Sequence, residues 1–398
     1  MKTNLKELLE KYKTNTATKE EKQQIEEKIE EFNLLQEYLL KDDDSFHFSP
    51  EDSSVIDTKK LRKQVNRKIY RLVLLTFSVI IGIVLAFHFL LSPMLNQLYF
   101  NPTKKEADAP IATYDLVSGV YTELTNPMYR LNQVAVKQTG IGSYDITKTF
   151  NMTMNTVTPD FPSLTYSIKR NQVEALAENM INYSIPSIWK SNDKENKTIT
   201  TQAKNQTLSK LNELPKSSEI DATFSFNKPL TIEEIFNGLE ITDWSGDSNY
   251  QINWFSVESE NHLNLGFDWT GTFPILGNQN GVNNPYLMSL NKTYPNLFPS
   301  APQSQKLDNL PTAMEEHFIS SLSYVLDQQN ILEKQEQIHS IDDMKKTLKK
   351  VKTSGVKIDG IYISGTIETI TKYGENNNIS NIDVLGTNLY SKSFHNPE

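Results

Sequence analysis

Few residues in this chain are spaced for chemistry, and each promising set lacks a necessary part. Ser187-Ile-Trp-Lys190 and Ser354-Gly-Val-Lys357 have the Ser-x-x-Lys spacing that can set a lysine amine beside a serine nucleophile. The companion Ser-Asp-Asn and Lys-Thr-Gly motifs are missing, and with 40 Lys and Arg in 398 residues such matches arise by chance. His262, His317, His339 and His395 show no paired spacing, so they read as surface or hydrogen-bonded structural residues rather than metal ligands. Asp42, Asp43, Asp44 and His47 lie on a polar tether without the geometry that fixes coordination. Gly140-Ile-Gly142 lacks the third glycine or the Lys-Ser/Thr of a phosphate loop and reads as a turn. There is no Gly-x-Ser-x-Gly elbow and no His-Glu-x-x-His helix. Asp268-Trp-Thr-Gly-Thr-Phe273, with Trp244 and Trp254, could line a sugar or peptide cleft, although core packing is the favoured reading. The chain has no cysteine, which excludes disulfides, thiol nucleophiles and cysteine-based metal sites. These residues point to no catalytic group, no metal and no cofactor, and so to a protein that is not an enzyme.

The elements around these residues are more informative. Leu72 to Leu91 is an apolar run without acid or fixed base, long enough as a helix to cross a bilayer core of about 30 Å. Lys59, Lys60, Arg62, Lys63, Arg67, Lys68 and Arg71 precede it, and no charge follows before Lys104. Basic residues stay on the cytoplasmic side, so the N-terminus is expected inside and the large C-terminal part outside. The same basic residues are expected to meet anionic headgroups. With a net charge of −9, the chain is not expected to bind nucleic acid directly. Gly82 is a lone glycine, His88 lies close to the interface, and Pro93 marks the outer end of the helix.

The expected organisation is an all-α head over residues 1–40, an acidic linker at 41–58, a basic helix at 59–71 and the span at 72–91. An outer module at 92–186, a polar linker at 187–216, a second outer module at 217–373 and a tail at 374–398 follow. In the head, Leu5, Leu8, Leu9 and Tyr12 share one helical face. Thr18-Lys-Glu-Glu21 has the form of a capping box opening a second helix, whose stripe is Ile25, Ile29, Phe32, Leu35 and Leu39. Two such short helices cannot bury both stripes in each other completely. Two readings stay open: a self-contained hairpin, or a surface completed by a protein partner.

The outer part reads as α+β, in two lobes. Strands are expected around 134–136, 144–154, 222–226, 251–257 and 360–367. Helices are expected from Asn171 to Ile181, after Thr231, from Pro311 and after Ser340, the last closed by Gly355.

Several segments carry a family resemblance. The Leu8-Leu9-Glu10-Lys11-Tyr12, turn and Thr18-Lys-Glu-Glu21 pattern resembles the cytoplasmic domain of membrane-bound antagonists of extracytoplasmic-function sigma factors. Zinc-binding members of that family have a His-x-x-x-Cys-x-x-Cys motif; the aligned places here are Lys28, Phe32 and Leu35, so the resemblance implies a zinc-free variant. Arg67–Arg71, Ser92–Pro102 and Tyr121–Pro127 resemble the N-terminal module of the sigma-factor regulators of Gram-positive bacteria. Phe226–Ile235, Ile252–Val257 and Gly355–Gly365 resemble their C-terminal module.

The resemblance implies a single-pass anti-sigma factor of the cell membrane. Its cytoplasmic helices would hold an extracytoplasmic-function sigma factor, through residues drawn from Leu5, Leu8, Leu9, Tyr12, Ile25, Ile29, Phe32, Leu35 and Leu39. Its outer domain would receive an envelope-stress signal or a second membrane regulator protein, with release by proteolysis or by a conformational shift. The alternative is a membrane-anchored envelope enzyme or ligand-binding protein whose head is only an anchor; a tethering scaffold is a third reading. The long, patterned head favours the first, because an anchor needs only a few basic residues.

Overall fold

The computed structural model describes residues 11–14, 16–41, 58–87, 89, 92–153, 162–175, 196–239, 249–259, 263–269, 273–279, 284–299, 309–335 and 340–389. These divide into two compact units, 1–83 and 84–398. In the first, a helical turn at 11–14 precedes α1 (Lys19–Lys41). The capping box forms: the Thr18 N–H donates to Glu21 Oε2 at 2.9 Å, and the Glu21 N–H donates to Thr18 Oγ1 at 3.3 Å. Lys11 Nζ donates to Glu21 Oε1 at 3.2 Å and ties the preceding turn to the start of α1.

A single helix, α2 (Thr58–Ala86), joins the basic stretch to the apolar one without a break. Among the described residues it is the one helix long and apolar enough to cross a membrane, over Val65–Ala86, with none of that stretch buried. Two of its hydroxyls are satisfied internally, Thr76 donating to Leu72 O at 2.9 Å and Ser78 to Leu74 O at 2.8 Å. A helix bonds its backbone within itself, as a lipid environment requires, and this one fits a single-pass membrane anchor.

The second unit begins around a helical turn at Ser92–Asn96 and α3 (Thr113–Thr125). It continues as an antiparallel meander of β1 (Tyr129–Gly140), β2 (Ser143–Met152), β3 (Ser163–Lys169) and β4 (Gln172–Ala175), in that spatial order. Tyr144, Ile146, Lys148 and Phe150 alternate inward along β2, the period of a half-buried strand. The helix expected from Asn171 is a strand at its start, because Arg170 and Asn171 adopt positive φ and turn the chain back onto β3; residues 176–181 lie outside the described ones.

Next come α4 (Asn196–Asn212), β5 (Glu219–Leu230), α5 (Ile232–Gly238), β6 (Tyr250–Val257) and β7 (Leu265–Phe267). Then follow α6 (Pro285–Thr293), α7 (Leu310–Asp327), α8 (Ile341–Ser354), β8 (Ile358–Thr366), α9 (Ile367–Gly374) and β9 (Ile379–Asn388). The five strands form a second antiparallel sheet in the order β7-β6-β8-β5-β9. The Thr231 and Ser340 caps form as expected, and Gly355 ends α8 at φ 76°. Gly266 lets β7 close on β6: a Cβ there would meet Phe255 O at 2.1 Å.

Three expectations change. The polar stretch around 187–216 is helical over α4, which buries Leu208 and Leu211 and donates from Lys204 Nζ to Asn376 O at 3.0 Å and Ile379 O at 2.9 Å. The C-terminal tail holds β9, an edge strand paired with β5 along its length. Finally, the two modules share one hydrophobic core that runs from Tyr114 through Ile220 and Phe318 to Ile382. The helix α3 is buried on almost every side, packed against β1, β7 and α7, so it fills space common to both sheets.

Candidate partner surface and buried charge cluster

The structure divides the expected stripe of α1. Ile25 is buried at 1% exposure, whereas Ile29, Phe32 and Leu35 are exposed at 44%, 69% and 59%. Three large apolar side chains at i, i+3 and i+6 therefore form an uncovered row, while Ile25 belongs to the head's own packing. Leu34, outside the stripe, is also exposed; at about 100° per residue it lies on the side of the helix opposite Ile25. Lys28, one of the places aligned with a zinc ligand, pairs with Glu31 on the exposed surface. Tyr12 is partly buried, Leu39 lies on α1, and Leu5, Leu8 and Leu9 lie outside the described residues. Lys63, Arg67, Lys68 and Arg71 are exposed on α2, and Lys59, Lys60 and Arg62 belong to the same helix.

Chemistry-bearing residues also gather inside the second unit. Arg130 on β1 donates from Nε to Asp268 Oδ2 at 2.9 Å and from Nη2 to Asn253 O at 3.1 Å. Its Nη1 donates to Asn126 O and Tyr129 O, both at 2.9 Å. Glu123 on α3 accepts from the Asp268 N–H at 3.2 Å and meets His317 Nε2 of α7 at 2.7 Å. The other ring nitrogen of His317, Nδ1, lies 2.7 Å from Asn296 O. Both ring nitrogens thus face oxygen atoms, an arrangement that favours the protonated ring. Burial alone would push its pKa down, but the Glu123 carboxylate, then the Asn296 carbonyl and Asp268, raise it above its ordinary value.

Each acid enclosed here has a basic partner, which is what makes its burial tolerable. Rings of Phe267, Trp269 and Phe273 surround His317 with centroids at 6.0, 5.7 and 6.5 Å. The Asp268–Phe273 segment is accordingly core, with Trp269 fully buried, while residues 270–272 and Trp244 lie outside the described residues. Trp254 is buried as well and donates from Nε1 to Glu123 O at 2.9 Å. The four side chains are all buried, and they join α3 and β1 to β6, β7 and α7. Sequence reasoning passed over Glu123 and Arg130 and treated His317 as isolated, since Glu123 and His317 are 194 positions apart.

Ser187, Lys190, His262, His339 and His395 also lie outside the described residues. Among the described residues no three His, Asp or Glu side chains gather as a set able to hold a metal.

Residues 211–385 match the family described as sigma factor regulator C-terminal. Over this segment the chain is similar to the sigma factor regulators. The matched segment runs from the end of α4 into β9, contains the whole second sheet up to that strand, and includes the three C-terminal motifs noted in the sequence. Comparison with curated proteins and with solved structures gives no match. That family is regulatory, and the likeness covers the C-terminal part of the chain.

Proposed function

We propose that this regulator is a single-pass membrane anti-sigma factor that holds an extracytoplasmic-function sigma factor on the cytoplasmic side and answers to an envelope-stress signal outside. The observation that carries the reading is the uncovered row Ile29, Phe32 and Leu35 on a capped helix, in a chain whose residues 211–385 match the sigma factor regulator C-terminal family. An amphipathic helix with i, i+3 apolar anchors is suited to a groove on a partner, and a sigma factor held there would be kept from RNA polymerase. The basic side chains of α2 favour the cytoplasmic side for the head. The 59–71 stretch, α2 and the outer unit then act in series: an external change reaches the head through one helix. A second membrane regulator protein is a candidate input on the outer side.

The test is co-purification of the full-length regulator from its own membranes in mild detergent, followed by identification of bound proteins. An extracytoplasmic-function sigma factor should be recovered with the natural chain and lost with I29D/F32D. Absence of any sigma factor from the natural chain overturns the reading.

A further inference from the structure

The first sheet is fastened to the chain immediately beyond the apolar helix. The Gly142 N–H donates to Asn96 Oδ1 at 2.8 Å, and the Phe100 N–H donates to Asn171 Oδ1 at 2.7 Å. The two turns held by these bonds are themselves joined, the Arg170 N–H donating to Gly142 O at 2.7 Å. Lys334 Nζ donates to Asn171 O at 2.8 Å. The Tyr99 ring lies under Gly142, where φ is +61° and a Cβ would come within 2.5 Å of the ring. Phe100 packs edge-on against Tyr114 at 5.8 Å. The β1–β2 and β3–β4 turns are therefore not free tips.

Chain length limits how far this end can be from the membrane. Asn96 follows Leu91, the last residue of the apolar run, by five positions, at most about 18 Å of extended chain and about 8 Å where helical. Ser92–Asn96 is helical. On the same short stretch Met94 and Leu98 expose 68% and 72% of their surface, four positions apart on one side of a helical turn. Apolar side chains held so near a bilayer have an occupant within reach in the lipid itself. The sheet end beside them exposes Lys137, Lys169 and Arg170; of these Lys169 is paired with Glu174.

We propose that the turn end of the first sheet, at Gly140–Gly142 and Arg170–Asn171, rests on the bilayer, with Met94 and Leu98 in the interface and Lys137 and Arg170 at anionic phospholipid headgroups. The inference depends on the reading of α2 as a membrane span. It assigns a lipid-contacting face to a domain otherwise seen only as a receiver of signals, and makes the state of the lipid surface part of what the first sheet feels. Interfacial apolar residues and basic side chains add their effects in such contacts.

The absence of cysteine from the natural chain allows single spin labels. The full chain would be reconstituted in nanodiscs of phosphatidylcholine with phosphatidylglycerol, carrying I80C, L98C, T139C or V384C, each labelled with a nitroxide. The readout is collision with aqueous nickel chelate and with lipid-soluble oxygen. A label at position 80 that favours oxygen establishes the span independently. Given that, labels at 98 and 139 should collide several-fold less with nickel than the label at 384 on the edge strand β9. Nickel collision at 98 and 139 equal to that at 384 overturns the lipid-facing surface while leaving the span intact. A label at 80 that favours nickel removes the span and the inference with it.

Discussion

The head and the outer domain solve the same problem in opposite ways. Among the described side chains of residues 11–35, one large apolar residue, Ile25, is buried, and Ile29, Phe32, Leu34 and Leu35 are left in the open. The outer unit closes its core over dozens of apolar residues and seals even four charges inside it. Burial of apolar surface is the main force that holds a fold together, at about 25 cal/mol per Å2. A region that leaves its largest side chains exposed forgoes that force until something else covers them. The comparison separates a part finished by its own sequence from a part that the proposed function completes with a partner.

The largest expected effect lies in the finished part. Replacing Arg130 by Met removes the guanidinium that bonds the buried Asp268 carboxylate, a loss of about 3–5 kcal/mol; a drop in the thermal midpoint of the outer domain measures it. If that variant melts like the natural chain, the cluster contributes nothing and the contrast weakens. On the unfinished part, I29D/F32D should leave that midpoint unchanged while weakening partner binding by about 2 kcal/mol or more, the loss typical of a central interface residue. Calorimetry against the recovered sigma factor checks this, and a shift in stability without a shift in affinity would place the row in the head's own core.

The charge cluster also has a pH signature. Because His317 is held above its unfolded value, its ion pair contributes fully below the unfolded histidine pKa of about 6.5 and is lost as pH rises through the folded value. Melts of the natural chain and H317Q between about pH 6 and about pH 9 should converge as pH rises.

A smaller effect comes from Thr18→Ala, which removes the hydroxyl that caps α1 and should cost about 1 kcal/mol of helix stability, visible as faster amide exchange at 19–22.

The smallest concerns Asp115, half-buried on α3, whose carboxyl burial raises to about 6 against the pull of the Ala112 N–H. The folded form then holds its proton more tightly than the unfolded one, and stability falls as pH rises from about 4 through about 6. D115N should remove that slope and raise neutral stability by about 1 kcal/mol at most, the interaction being partly screened by solvent.

What could be read in the sequence was local. Thr18, Thr231 and Ser340 announced their helices because a cap and its partner lie three residues apart. The strands at 144–154 and 251–257 showed β-branched and aromatic alternation. Other segments lacked such a signal. The helix α4 carries a run of Thr, Asn, Lys and Gln in which, among the described side chains, Leu208 and Leu211 are the apolar ones that reach the core, too few for a stripe. The strand β4 begins a segment whose Val173, Leu176, Ala177 and Met180 follow a helical spacing, and pairing with β3 overrides it. For α1, periodicity marked the stripe but could not say which members were covered. The charge cluster had no sequence signature at all, since its parts come from five separate elements and nothing in Glu123 or Arg130 alone distinguishes them from surface residues.

The family boundary at residue 211 has a consequence in this light. Asp268 and His317 lie inside the matched segment, and the side chains that neutralise them, Arg130 and Glu123, lie upstream of it. A likeness drawn over 211–385 marks what relatives have kept in common, yet it cuts through two ion pairs. A fragment begun at that boundary would leave behind the Arg130 guanidinium that bonds Asp268 and the Glu123 carboxylate that bonds His317.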